Sequence, residues 1–152
     1  MRPRRLVGES GQAGIEAVPF GLLTFVIGTL MVVNAWAVID AKITVSSAAR
    51  EATRAYVEAP ADGDPAGLAD TAARAAVMGA GRDPHRLGLT QLEGSFSRCE
   101  TVRFEASYRL PAIRIPWVGG LGSFTARARH AEIVDPFRTG VPRSAGGCGP
   151  AA

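Results

Sequence analysis

The sequence predicts an α+β protein built on one long N-terminal transmembrane helix. That helix continues as an amphipathic helix and packs, with a second short helix, on a small antiparallel β-sheet. Three observations predict this architecture. The run from Ala17 to Ile39 contains no charged residue. Val45, Ala48, Ala49, Ala52, Tyr56 and Ala59 then recur at helical spacing, a narrow apolar stripe of mostly small side chains. From Leu87 onward the apolar period changes to two, the period of a strand with one buried face.

The 152 residues leave room for one modest domain once the anchor is set aside. A hydrophobic content of 47% is ordinary for a globular protein, so the membrane reading rests on the crowding of apolar residues into one early block. The net charge of +3 comes almost wholly from arginine, Lys42 being the only lysine. These arginines alternate with acids, without a dense patch or interleaved aromatics, which argues against a nucleic-acid partner.

Residues 1–11 form a basic leader, with Arg2, Arg4 and Arg5 against the single acid Glu9. Positive charge before an apolar segment keeps that end in the cytoplasm, so the C-terminal domain is expected outside the cell membrane, held by a single pass. At about 1.5 Å per residue, the span at residues 17–39 covers roughly 30 Å or a little more, enough for the hydrocarbon core. Asp40 and Lys42 mark where it emerges, Trp36 sits near that boundary, and Pro19 is placed in the first turns. Ala17, Gly21, Thr24 and Gly28 fall at i, i+4, i+7 and i+11, a small-residue seam along which a partner helix in lipid could approach closely.

The helix is expected to run over residues 12–59, and a headpiece to occupy residues 60–134. PADGDP at residues 60–65 breaks the helix; Asp64 reads as an N-cap with Pro65 at the first helical position. A short Ala-rich helix follows to about Ala80, stopped by Gly81 and Pro84. Leu87 and Leu89 alternate, then Leu92, Gly94 and Phe96 do so in the other phase, which predicts a bulge near Gln91. The clearest strand buries Val102, Phe104, Ala106, Tyr108 and Leu110, and a third runs from Phe124 to about Val134. The segment between them, PAIRIPWVGGLGS, reads as a loop tucked onto the core, with a partner or membrane-proximal surface as the alternative. Residues 135–152, rich in Gly, Pro, Ser and Ala, read as a flexible tail.

Little in the chain points to catalysis, a metal or a cofactor. His85 and His130 share no metal-ligand spacing, and no nucleophile elbow or phosphate loop is present. Cys99 and Cys148 are too far apart for a CxxC motif or a self-contained zinc site. In an extracytoplasmic domain they form either a disulfide joining tail to domain or two unpaired thiols, and both readings stand.

Glu16 is the anomaly, a carboxylate at the lip of the apolar run. A cut after Gly11 would make Gln12 the N-terminus and Glu16 the fifth residue. The new α-amine and this carboxylate could then pair between subunits, offsetting the burial of both. The order of basic leader, Gly11, Glu16, apolar helix and Ala/Arg-rich amphipathic helix resembles a type IV prepilin. More narrowly it is similar to the TadE-like pilins of the Tad (Flp) pilus system. AAREATRAY at residues 48–56 is similar to the AAREAAR-type segment that follows the anchor in many members of that family. Ala17 stands where family members often carry an aromatic, which here arrives at Phe20. The resemblance covers residues 10–59 and implies a pilin-like fold and a minor pilin or pseudopilin supporting pilus assembly and bacterial adhesion. It makes Gly11 the last leader residue, Gln12 the mature N-terminus and Glu16 the registering carboxylate. It implies a prepilin peptidase, major and minor pilins, the pilus assembly platform and membrane lipid as partners. Two alternatives stand beside it. One is an unprocessed anchored binding domain. The other is a secreted domain cut after Ala37, where Ala35-Trp36-Ala37 fits signal peptidase but the apolar run exceeds a usual h-region.

Overall fold

A computed structural model of the protein describes residues 12–145 and Cys148, with the side chains of residues 12–16 and Arg114 outside the description. Helix α1 spans Gln12–Val57 and α2 spans Pro65–Gly79; the strands are β1 (Leu87–Glu93), β2 (Thr101–Leu110), β3 (Ile113–Ile115), β4 (Gly119–Leu121) and β5 (Phe124–Ile133). The fold is α+β: a long apolar N-terminal helix, a short helix, and a three-stranded antiparallel sheet in the order β1-β2-β5. The chain divides into two compact units after Trp36.

In the first unit, α1 is long and apolar enough to cross a membrane, and its most apolar window is entirely unburied. Its polar side chains fold back on the helix. Thr24 Oγ1 donates to the Phe20 carbonyl at 2.9 Å, and Asn34 Nδ2 to the Leu30 carbonyl at 2.8 Å. Such local bonds satisfy polar groups where the surroundings offer none. Because α1 starts at Gln12, Pro19 lies inside the helix rather than at its opening, and it cannot donate to the Ile15 carbonyl.

The second unit begins with the rest of α1. Ala41, Val45, Ala48, Ala49 and Ala52 have no exposed surface and face the core formed with β2, β5 and α2. The small side chains let the helix lie close to the sheet, and Tyr56 supplies bulk at the far end. Its ring meets Phe104 at 5.3 Å and Phe96 at 5.8 Å, both edge-on. The sheet contributes Val102, Phe104, Ala106, Tyr108 and Leu110 from alternate positions of β2.

Asp64 occupies the N-cap of α2, its carbonyl accepting from the Leu68 N–H at 3.1 Å, although its carboxylate makes no capping bond. The helix closes with a Schellman motif: Gly81 N–H bonds the Met78 carbonyl and Arg82 N–H the Val77 carbonyl. Gly81 holds the left-handed conformation this needs, at φ 69°.

In β1 the register slips between Gln91 and Glu93, leaving Leu92 as the extra residue of a bulge. The strand ends at Glu93 instead of carrying the second phase on to Phe96. Gly94 turns the chain at φ 84°, where a Cβ would lie 2.3 Å from the Thr101 carbonyl oxygen. Phe96 then reaches Tyr56 from a loop.

Two expectations are corrected. The segment after Leu110 is not a tucked loop: β3 and β4 pair as a hairpin, with Ile113 opposite Leu121 and Ile115 opposite Gly119. The described part of the tail, residues 135–145 and Cys148, is docked, not loose. Val141 is buried, Cys99 and Cys148 form a disulfide, and the Arg138 guanidinium donates to the carbonyls of Val57, Glu58 and Ala59. A run poor in large apolar residues looks mobile in sequence, but here one arginine, one valine and one cysteine fasten it.

Candidate assembly surface

Of the residues singled out as a processing and registry site, Gly11 lies outside the described residues. Gln12 is the first residue of α1, and Glu16 lies in its second turn, with its side chain outside the description. The seam residues Ala17, Gly21, Thr24 and Gly28 all stand exposed on α1. A Cβ placed on Gly21 or Gly28 would meet nothing within 4 Å. Around Gly28 the flanking Phe25, Val32 and Val33 side chains stand higher than the glycine, leaving a shallow apolar groove that also takes in Thr29.

The amphipathic half of α1 is fixed to the sheet by contacts that sequence alone did not bring together. The Arg82 guanidinium reaches the Asp40 carboxylate at 2.5 Å and the Ala37 carbonyl at 3.4 Å, and lies 5.5 Å from the centre of the Tyr108 ring. The Arg82 side chain is only 18% exposed. A charge so far out of water needs such partners, since an unpaired one would be costly. The Lys42 ammonium donates to the Arg127 carbonyl. Farther along, Thr53 Oγ1 donates to the Ala49 carbonyl at 2.7 Å and lies 3.4 Å from that of His130. The one signal for Arg82 was its position directly after Gly81, where the Schellman turn redirects the chain.

The outward face of this half carries Arg54 and Glu58, paired at 3.0 Å across one turn. The Glu58 hydrogen bond raises the Arg54 pKa, and Asp70 does the same to Arg74 in α2. Both guanidiniums therefore stay charged at any working pH. The pairs sit in solvent, where such bridges contribute little to stability.

The β3–β4 hairpin presents a different surface. Val118 N–H bonds the Ile115 carbonyl at 3.3 Å, closing a turn with Pro116 second and Trp117 third. Trp117 has φ 65°, the positive value that the third position of a type II turn demands and that glycine normally supplies. A side chain held there costs roughly 1–2 kcal/mol. Trp117 is fully exposed, and Ile113, Val118 and Leu121 are at least half exposed.

Among the described residues no group of His, Cys, Asp and Glu could hold a metal ion. The His130 ring lies 3.1 Å from the Glu132 carboxylate on the sheet, and the backbone N–H of His85 donates to the Asp83 carboxylate at 3.0 Å in a single helical turn after α2. The two histidines thus serve separate local contacts. The chain matches no family model, no curated protein and no solved structure.

Proposed function

We propose that the chain is a minor pilin or pseudopilin of the TadE-like kind. In this reading it is anchored by residues 17–39 with its headpiece outside the cell membrane, is processed after Gly11, and supports assembly of a Tad-type pilus without catalysis. The observation that carries the reading is the division of labour along α1. One helix, described from Gln12 onward, leaves a membrane-length apolar half bare and buries its Ala-rich second half against a small sheet. The headpiece uses up the second half, so the seam at Ala17, Gly21, Thr24 and Gly28 is the part of α1 left for sister pilins. Glu16 would register each subunit against the α-amine of its neighbour.

The first test is the mature N-terminus after co-expression with a prepilin peptidase. Gln12 is the expected first residue, and Gly11→Leu is expected to block the cut. Met1 would instead indicate an unprocessed anchor, and Val38 a domain released by signal peptidase; either would end the pilin reading.

The second test concerns the seam. Gly21→Leu and Gly28→Leu fill space that is open in the single chain, so the headpiece should fold unchanged. Site-specific crosslinking to partner pilins is expected to fall sharply, because close helix approach in lipid needs the small residues. Undiminished crosslinks would remove the seam from the mechanism.

A further inference from the structure

We propose that the β3–β4 hairpin is a foot on the bilayer surface, with Trp117 and Val118 seated among anionic lipid headgroups beside the point where α1 leaves the membrane. The proposal rests on reading Ala17–Ile39 as a membrane span.

The first argument is position. The hairpin joins Leu110 to Phe124, which face each other at one end of the sheet. That end is level with the start of the second unit. Tyr108 lies under Arg82, which holds Asp40 and the Ala37 carbonyl, and Lys42 bonds the carbonyl of Arg127 near the start of β5. The opposite end of the sheet meets α1 some four turns later, where Phe104 contacts Tyr56 and His130 lies beside Thr53. The hairpin therefore emerges from the end of the headpiece nearest Asp40, the first charge after the apolar run.

Chemistry agrees with the position. A fully exposed tryptophan beside an exposed valine is suited to the boundary between water and acyl chains, where the ring is half solvated. Among the described residues nothing covers this tip, and the turn holds Trp117 outward in a conformation usually left to glycine. The charge around the hairpin base is basic. Arg86 and Arg109 line a shallow cavity with Leu110, Pro111, Gly122 and Ser123, and Arg127 is exposed nearby. Arg86 pairs with Asp83 at 3.6 Å, and Glu105 is shared between Arg127 at 4.0 Å and Arg129 at 2.6 Å, so with Arg109 the arginines still outnumber the acids. Exposed arginines at this depth attract anionic headgroups.

The chain has two tryptophans, which makes the test self-controlled. The full chain is reconstituted into phosphatidylcholine vesicles containing phosphatidylglycerol. Trp36→Phe leaves Trp117 as the only indole, and Trp117→Phe leaves Trp36. The Trp117 emission is expected to lie to the blue of a water-exposed indole and to resist acrylamide. Lipids brominated near the carbonyls should quench it, and lipids brominated at the chain ends should not. If brominated lipid quenches Trp36 while Trp117 stays open to acrylamide, the span stands and the foot is overturned. If neither is quenched, the span reading fails and the foot falls with it. A blue shift of Trp117 that grows with protein-to-lipid ratio, without bromine quenching, would assign the hairpin to a second copy of the chain and overturn the lipid contact.

Discussion

Replacing both Cys99 and Cys148 with serine is expected to cost the headpiece about 4 kcal/mol, the chain-entropy value for a closed loop of roughly 50 residues. The two cysteines lie 49 residues apart, with Cα atoms 5.1 Å from each other. The link therefore removes a large set of conformations from the unfolded chain. Denaturant titration of the full chain in detergent micelles, followed by near-UV circular dichroism, reads the change in midpoint. Against the roughly 5–15 kcal/mol of a typical domain, such a loss is a large share of the total. A loss below about 1 kcal/mol would mean that the Arg138 and Val141 contacts secure the C-terminal segment almost unaided.

Phe104→Ala is expected to destabilise the same unit by about 3–5 kcal/mol, the usual range for removing a buried aromatic. Phe104 is 4% exposed and sits edge-on to Tyr56, where the Ala-rich stripe of α1 gives way to a large side chain. The neighbouring core residues at that level are a helix and a strand backed by a continuous ladder, so the space cannot simply collapse. Phe104→Leu refills most of the volume and should cost less than half as much. The same titration distinguishes the two; equal effects would mean that the ring contacts, rather than the volume, carry the stability.

Local periodicity made some elements legible and left others hidden. The β2 alternation from Val102 to Leu110 appears in the structure residue for residue, because a half-buried strand imposes its period on the sequence. The stripe Val45 to Ala59 is buried throughout for the same reason on a helix, and the structure adds Ala41, Thr44 and Thr53 to it. The two threonines escaped because a hydroxyl looks polar in sequence. In the fold each returns its proton to a carbonyl of its own helix, Asp40 for Thr44 and Ala49 for Thr53. Strands β3 and β4 were hidden by their brevity, since three residues on each side of a Pro/Gly turn carry hardly any period. Contacts made over long separations leave no local trace, as with Arg82 and Asp40, which lie 42 residues apart. Of the proposed assembly surface, the bare glycines of α1 were readable from spacing alone. The hairpin tip was visible only as apolar residues in an unlikely setting.

The grip of Arg138 on the end of α1 bears on the order of events in biogenesis. The last carbonyls of a helix need donors from outside it, and here the Val57 carbonyl waits for a residue 81 positions later. Chain emerges from the ribosome in sequence, so α1 and the whole sheet are made before that cap exists. Cys148 comes later still. Completion of the headpiece is thus a signal that the chain has been delivered at least as far as Arg138 and Cys148. A molecule stalled or clipped before Arg138 keeps an open helix end and an unlinked Cys99, features by which a protease or chaperone could tell it from a finished chain.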